Sequence, residues 1–272
     1  MRLATFALLL VPLLAGCKVA KPVPAEQVTS MEQAEPATET AAPTASDVQV
    51  PADRKTALSP ESYSEEGWKV IAIAQGVLGD QQNAAVLILQ KDDPALRLGN
   101  DNLGANVLDT NPRKVVFLHE ARSVWIKGDE VQGWLPPEHS TDTPCLADPL
   151  QDGTFAIENR TLVIGLHYWL SCGSYGVTHR TFRFRPEGAR MRLIGYDRTE
   201  FSRSSGIGEE TSVNFLTGRK KHTTGIVVID PEEGDEVPEE KESWSKISRK
   251  RWYLDSLDET LCRDWDNQPD WC

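Results

Sequence analysis

Apolar and polar residues alternate most regularly between residues 160 and 186. On either side of a small, polar centre every second position is apolar or aromatic: Leu162, Ile164, Leu166 and Tyr168 before it, and Phe182 and Phe184 after it. A period of two is typical of a strand with one buried face. The centre, Ser-Cys-Gly-Ser-Tyr-Gly at 171–176, has two glycines that allow a tight reversal. The pattern predicts a long β-hairpin, which is either ordinary framework or a rigid loop presented to the pocket of another protein.

Short apolar runs separated by turns with Gly or Pro continue over the rest of the chain. They predict strands at 68–73, 84–89, 114–119, 124–126, 155–157, 190–196, 212–216, 225–229 and 244–252. Residues 128–153 are predicted to be loop-rich, 230–242 to be an acidic solvated loop and 255–264 to be a short helical tail. The sequence has neither a strand–helix alternation nor a long amphipathic helix. The expected fold class is therefore all-β and mainly antiparallel, with a propeller-like or sandwich-like arrangement of sheets.

The turn at Gly79-Asp80 and the apolar strand after it resemble the calcium-loop repeats of integrin-type propeller blades. Those loops use acidic side chains as ligands, because Ca²⁺ prefers hard oxygen atoms. This chain has Gln81, Gln82, Ala84 and Ala85 in the corresponding loop. The 79–85 loop is therefore predicted to be a degenerate calcium loop that binds no metal. No metal or other cofactor is expected.

The N-terminus has the layout of a secretory signal. Arg2 precedes an apolar segment, 6–14, that is too short to span a membrane. It ends in Leu-Ala-Gly-Cys at 14–17, which matches the lipobox of bacterial lipoproteins; the competing interpretation is a plain signal peptide with a chance cysteine. The match predicts a signal peptide at 1–17, acylation of Cys17 and anchoring in a lipid bilayer. Position 18, directly after the cysteine, is lysine and not aspartate, which resembles lipoproteins that are sorted to the outer membrane. A periplasmic protein with a lipid anchor in that membrane is therefore expected.

Residues 18–60 are rich in Ala, Pro, Glu and Thr and have almost no large apolar side chains. Such a segment cannot bury enough surface to offset its conformational entropy. We expect 18–60 to be a disordered tether and 61–272 to be a β-rich domain, which is long enough to bury one sizeable core or two small ones.

The chain has five cysteines. With Cys17 acylated, Cys145, Cys172, Cys262 and Cys272 remain, and an even number in an oxidising compartment indicates disulfides. Sequence alone leaves the pairing open. We favour Cys145 with Cys172, which would pin the hairpin tip, and Cys262 with Cys272, which would hold the C-terminal tail. A zinc site is not expected, because the cysteines lack CxxC spacing and the histidines are scattered.

The formal net charge is −12 and the pI is about 5.0. Nucleic acid is not an expected partner, because its phosphates would repel such a surface. A basic protein partner would suit it, since complementary charge speeds association; the alternative is that the acidity serves only solubility.

The sequence lacks the motifs that would indicate an enzyme. It has no GxSxG elbow, HExxH, Walker loop or GxGxxG pattern. His119-Glu120 has no nucleophile motif around it, and the spacing of His167 and Ser171 on one hairpin does not make a Ser–His pair. We therefore expect a protein without catalytic activity.

Several short patterns, in their order along the chain, resemble a known family. They are Gly79-Asp80 before an apolar strand and 91–94, the 173–176 tip before 181–184, then 193–197, 212–218 and 244–247. Over about residues 60–255 the chain resembles exported lipoproteins whose fold is similar to the periplasmic inhibitors of invertebrate-type lysozyme. It is most similar to the immunity lipoproteins that accompany lysozyme-like effectors of antibacterial type IV secretion systems.

In that inhibitor family a loop with the pattern SGxxY enters the active-site cleft of the hydrolase. Here Ser171 and Tyr175 keep the first and last positions, while Cys172 stands where the family has glycine. The resemblance implies an inhibitor or immunity protein whose partner is a lysozyme-like peptidoglycan hydrolase. The implied contact residues are Ser171, Gly173, Ser174 and Tyr175, with His167 and Trp169 at the rim. The alternative is a structural or assembly lipoprotein of the outer membrane, in which the hairpin is framework alone.

Overall fold

Strands make up most of the chain that the computed structural model describes, which is residues 56–57, 59–63, 65–230, 236–258, 269 and 271–272. They are β1 (Thr56–Ala57), β2 (Trp68–Leu78), β3 (Gln81–Lys91), β4 (Arg97–Gly99), β5 (Val107–Asp109), β6 (Arg113–Ala121), β7 (Val124–Gln132), β8 (Phe155–Glu158), β9 (Thr161–Trp169), β10 (Gly176–Glu187), β11 (Arg190–Ser202), β12 (Ile207–Asn214), β13 (Arg219–Val227) and β14 (Lys241–Lys246). The described helical segments are 3-10 turns at Pro60–Ser62, Pro94–Leu96 and Leu254–Ser256. Paired strands run antiparallel, so the predicted all-β, mainly antiparallel fold class is confirmed.

The strands form two large sheets and one small hairpin. The first sheet is five-stranded, in the order β1-β7-β6-β3-β2; the second is seven-stranded, in the order β14-β13-β12-β11-β10-β9-β8; β4 and β5 pair by themselves. The second sheet is a meander, in which each strand pairs with the next one along the chain. Its β8–β9 turn consists of Asn159 and Arg160, with φ of 48° and 61°. Two successive left-handed residues are typical of a type I′ turn, whose twist matches that of the flanking strands.

The two large sheets pack on a shared hydrophobic core. It includes Val86, Ile88, Val115 and Phe117 from the first sheet and Leu162, Ile164, Phe182, Phe184 and Leu193 from the second, each at most 3% exposed. The ring of Trp134 meets those of Phe182 and Phe184 edge-on, at centroid distances of 5.1 and 5.7 Å. Two sheets that pack on one core form a sandwich-like arrangement. This is one of the two arrangements, propeller-like and sandwich-like, that the sequence leaves open.

Strand β3 is buried on both faces. Val86 and Ile88 belong to the shared core, while Leu87 and Leu89 enter a smaller cluster that Tyr63 helps to close. Full burial of one such side chain contributes about 1.5–3 kcal/mol. A strand covered on both sides has no polar face, which is why 84–89 is a continuous apolar run and not an alternating one.

Several predicted boundaries are wrong. Strand β7 continues to Gln132, inside the region predicted to be loop-rich, and the predicted strand at 244–252 is instead β14, which ends at Lys246. After Lys246 the chain leaves the sheet, because Ile247 and Leu254, 7% and 0% exposed, enter the shared core. Of the predicted tail at 255–264, residues 259–264 lie outside the described residues.

Other predictions also lie outside the described residues. These are the signal peptide at 1–17 with Cys17, most of the tether at 18–60, and Cys262. Thr56 pairs with Ile126 across β1 and β7, so sheet pairing begins before the predicted domain start at residue 61. No helix in the described part of the chain is long and apolar enough to cross a bilayer.

Candidate functional site

The hairpin predicted at 160–186 is present as β9 and β10. Their register pairs Phe184 with Leu162 near the base and Val177 with Trp169 beside the tip. Residues 170–175 project past this last pair and form the tip. Gly173 reverses the chain with a φ of +75°, a conformation that residues with a Cβ adopt only at a cost. The glycine that stands one position later than in the inhibitor pattern is therefore the residue that this turn requires.

The segment 144–154 covers the part of the β9 edge that β8 leaves open. The amides of Ala147 and Ser171 donate to the carbonyls of Trp169 and Cys145, both at 3.0 Å, and the amide of His167 donates to the carbonyl of Pro149 at 2.8 Å. These bonds satisfy backbone groups of β9 up to the tip. The half of β9 nearer the tip is therefore supported by a segment with no regular secondary structure.

A buried ion pair anchors this covering segment to the first sheet. Arg113, which is 2% exposed, donates from both terminal nitrogens to the two carboxylate oxygens of Asp148, at 2.6 and 2.7 Å. Its Nε donates to the Gln90 side chain at 2.9 Å. A bidentate pair of this kind fixes both position and orientation, so the segment beside the tip is tied to the sandwich.

A disulfide joins the covering segment to the tip. Cys145 and Cys172 are bonded, with a Cα–Cα distance of 5.7 Å and a sequence separation of 27, so this predicted pairing is confirmed. Cys272 is also disulfide-bonded; the predicted partner, Cys262, lies outside the described residues. The first bridge restrains the tip on its β9 side.

Arg203, in the turn between β11 and β12, holds the tip from the other side. Its Nη2 donates to the carbonyls of Leu170 and Ser174, at 2.8 and 2.6 Å, and so connects the two ends of the tip. Its guanidinium lies 4.0 Å from the centroid of the Trp169 ring, and its amide donates to the carbonyl of Tyr175 at 2.8 Å. Nothing in the sequence marks Arg203 as a functional residue, because it lies in a polar turn with no motif around it.

The four predicted tip residues come together on one exposed surface. Tyr175 is 68% exposed, and Ser171, Gly173 and Ser174 are also exposed. The Ser171 hydroxyl donates to the carbonyl of Cys145 at 2.9 Å, so its hydrogen is used inside the protein. The Ser174 hydroxyl oxygen accepts from the amide of Gly176 at 3.0 Å, which leaves its hydrogen to donate. Ser174 and Tyr175 are therefore the hydroxyl donors that the tip can offer to a partner.

The two predicted rim residues lie on the hairpin beside the tip. Trp169 is covered by Arg203 and supports the tip, while His167 stacks on His179 with ring centroids 4.3 Å apart and an interplanar angle of 5°. The ring of Phe201 continues this stack, 6.1 Å from His179. Loss of water around its ring lowers the pKa of His179, and the neighbouring His167 lowers it further.

The Gly79-Asp80 turn shows no set of metal ligands. The Asp80 carboxylate is exposed and lies 3.6 Å from the guanidinium of Arg160. In the described part of the chain no group of three or more His, Cys, Asp or Glu side chains is arranged to hold a metal ion.

The site as a whole is an exposed aromatic residue, Tyr175, at the end of a hairpin that is held by a disulfide and by Arg203. The Tyr175 side chain is exposed, and its ring centroid lies 5.9 Å from the guanidinium of Arg203. Comparisons with family models, curated proteins and solved structures find no match.

Proposed function

We propose that this protein is a lipid-anchored envelope protein that inhibits a lysozyme-like peptidoglycan hydrolase by inserting its hairpin tip into the active-site cleft. The observation that carries the proposal is Tyr175, a tyrosine left 68% exposed at the end of a hairpin. An exposed aromatic ring on a rigid loop is typical of the anchor residues of protein interfaces.

Rigidity matters because a loop that is already ordered loses little entropy on binding. Immobilising a flexible side chain costs about 0.5–1.5 kcal/mol, and ordering a backbone residue costs about 1–2 kcal/mol. Here the disulfide at Cys172 and the hydrogen bonds of Arg203 meet that cost during folding. The contacts of Tyr175 with a partner then do not have to offset the ordering of the loop backbone.

The chemistry of the tip suits the catalytic groups of a lysozyme-like enzyme. Such an enzyme places a protonated carboxylic acid beside an ionised carboxylate. The hydroxyls of Ser174 and Tyr175 can donate to the carboxylate, and each hydrogen bond to a charged group contributes about 1.5–3 kcal/mol. The tyrosine ring has the size and the flat faces to occupy a site that otherwise binds a sugar ring.

The resemblance to lysozyme inhibitors and the acidic character of the chain support the same partner. A net charge of −12 favours fast association with a basic hydrolase. Protection of the producing cell from a secreted cell-wall hydrolase is the biological role that fits an inhibitor in the envelope.

The proposed inhibition is tested with the full chain, purified in detergent and mixed with invertebrate-type lysozyme and with lysozyme-like secretion effectors. Loss of turbidity of a cell-wall suspension reports hydrolysis. We expect the wild type to inhibit and Tyr175→Ala to inhibit at least tenfold more weakly, which corresponds to about 1.4 kcal/mol. Tyr175→Phe separates the contribution of the hydroxyl from that of the ring.

The matched control is Trp244→Ala, which removes a comparably exposed aromatic ring, 57% exposed, from β14 at the far edge of the same sheet. It is expected to inhibit like the wild type. If the wild type inhibits and Tyr175→Ala inhibits equally well, the site lies elsewhere. If the wild type neither binds nor inhibits any of the hydrolases, the inhibitor proposal fails and the structural or assembly role in the envelope remains.

The proposed anchor is tested separately. Incorporation of a labelled fatty acid and recovery of the protein with outer-membrane fractions are expected for the wild type. Both should be lost in Cys17→Ser. A wild-type protein that is released in soluble form and carries no label would contradict the anchor without bearing on the tip.

A further inference from the structure

A second exposed apolar side chain lies on a loop next to the tip. Leu103, in the loop between β4 and β5, is 74% exposed. The side-chain amide of Asn100 donates to the carbonyls of Leu103 and Ala105, at 3.2 and 2.9 Å, and its backbone amide donates to the carbonyl of Asn106 at 2.9 Å. The loop is therefore ordered by its own hydrogen bonds, and its leucine is held in water.

This loop is connected to the tip through the covering segment. At Gly104 a Cβ would lie 2.1 Å from the carbonyl oxygen of Pro144, so the backbones are in direct contact there. Pro144 precedes Cys145, which is bonded to Cys172 in the tip. The β4–β5 loop, the covering segment and the tip therefore form one continuous surface.

A shallow cleft of about 370 Å³ separates Leu103 from the disulfide. Its lining residues are Asn102, Leu103, Asp142, Thr143, Pro144, Cys145, Leu170 and Cys172. The floor is apolar, and Asp142 supplies a negative charge at the edge. Asp101 adds another in the adjoining loop. Arg203, a cation beside the tip, is occupied by its contacts there.

We propose that this cleft is a second contact for the hydrolase whose active site the tip enters, and that it takes a lysine or arginine side chain from the rim of that active site. This inference rests on the proposed function. A long basic side chain matches the cleft, because its aliphatic stem packs on apolar surface while its charged head stays at the edge. The stem lies between Leu103 and the disulfide, and the head reaches Asp142. The tip enters the active site of the hydrolase, and the contact at the cleft fixes the orientation in which the tip enters.

The contact is tested with the full chain and the hydrolase that the wild type inhibits most tightly in the turbidity assay. Leu103→Ala is expected to weaken inhibition about tenfold, and Leu103→Lys to weaken it further, because its ammonium group would repel the basic side chain of the partner. Asp142→Asn is expected to slow association and to reduce its dependence on salt, because a charged contact is removed. The matched control is Leu216→Ala, which removes a leucine that is 51% exposed in the turn between β12 and β13; it should change nothing.

The outcomes separate this inference from the proposed function. If the wild type inhibits and only Tyr175→Ala is impaired, while both Leu103 variants and Asp142→Asn match the wild type, the second contact is wrong and the tip remains the site. If the wild type inhibits no hydrolase, both proposals fall together. Thermal unfolding of each variant shows whether it is folded. Leu103→Lys keeps a long aliphatic stem at this exposed position, so it tests the contact even if Leu103→Ala perturbs the loop.

Discussion

Replacing Arg203 by alanine tests whether this side chain holds the tip in place. The change removes the hydrogen bonds to the carbonyls of Leu170 and Ser174, at 2.8 and 2.6 Å, and the contact with the Trp169 ring at 4.0 Å. It leaves the disulfide of Cys172 intact. The backbone hydrogen bond from residue 203 to the tip is also available to alanine.

The magnitude follows from the surroundings of each contact. A hydrogen bond from a charged donor contributes about 1.5–3 kcal/mol, and the partly buried bond to Leu170 falls in that range. The bond to Ser174 is exposed, so water replaces most of it. The ring contact adds about 0.5–1 kcal/mol. The bond to Leu170 and the ring contact together contribute about 2–4 kcal/mol. Their loss is partly offset, because each tip residue that becomes disordered regains about 1–2 kcal/mol of backbone entropy.

We therefore expect Arg203→Ala to lower the free energy of unfolding by about 1–2 kcal/mol, while one or two residues of the tip lose their order. Denaturant unfolding measures the first quantity. Hydrogen exchange measures the second at the amide of Gly176, which donates to the Ser174 hydroxyl at 3.0 Å. Arg203→Lys keeps the charge without the planar guanidinium and should fall between the wild type and alanine.

Arg251→Ala is the matched control, because it removes an exposed arginine that pairs with Glu187 away from the tip. It should leave exchange at the tip unchanged. If Arg203→Ala shows wild-type stability and wild-type exchange at Gly176, the disulfide alone orders the tip and the role given to Arg203 is refuted.

Three further predictions address the supports of the tip and its pH dependence. Replacing both Cys145 and Cys172 by alanine opens a loop with a sequence separation of 27 and should lower the free energy of unfolding by about 3–4 kcal/mol, measured by denaturant unfolding. Asp148→Asn leaves the buried guanidinium of Arg113 without its carboxylate and should cost about 3–5 kcal/mol in the same measurement. Because the pKa of His179 is lowered from 6.5 in the folded state, its contribution is fully present above pH 6.5 and is lost as the pH falls through the folded-state pKa, where the unfolded chain binds more protons. Unfolding free energies measured above and below pH 6.5 should therefore show a slope that is reduced in His179→Gln.

Each of these has its own contrary result. Equal stability of the double cysteine variant and the wild type would mean that the native tip gains nothing from its cross-link. Asp255→Asn removes the charge of an exposed pair with Arg190 and should have little effect on the free energy of unfolding. If Asp148→Asn has an equally small effect, burial does not strengthen the pair of Arg113 and Asp148. An unchanged pH slope in His179→Gln would place the titrating group elsewhere.

The hairpin and its inward face could be predicted from sequence because both are local properties. In a strand the face of each side chain follows from its position, so alternation alone assigns Leu162, Ile164 and Phe182 to the core. Wrong boundaries occurred where distant contacts decide the course of the chain. The last strand ends at Lys246 because Ile247 packs in the shared core. No pattern of residues within 244–252 predicts that the strand ends there.

The all-β class, the hairpin at 160–186 and the exposed tip residues could be predicted from local patterns, because period-two patterning and turn glycines act over a few residues. It could favour the pairing of Cys145 with Cys172 without deriving it. Two features could be seen only in the folded protein: Arg203 connects both ends of the tip, and the loop of Leu103 lies beside the tip. Those contacts join segments far apart in the chain, and their meeting depends on sheet order and register, which are set by burial summed over the whole domain.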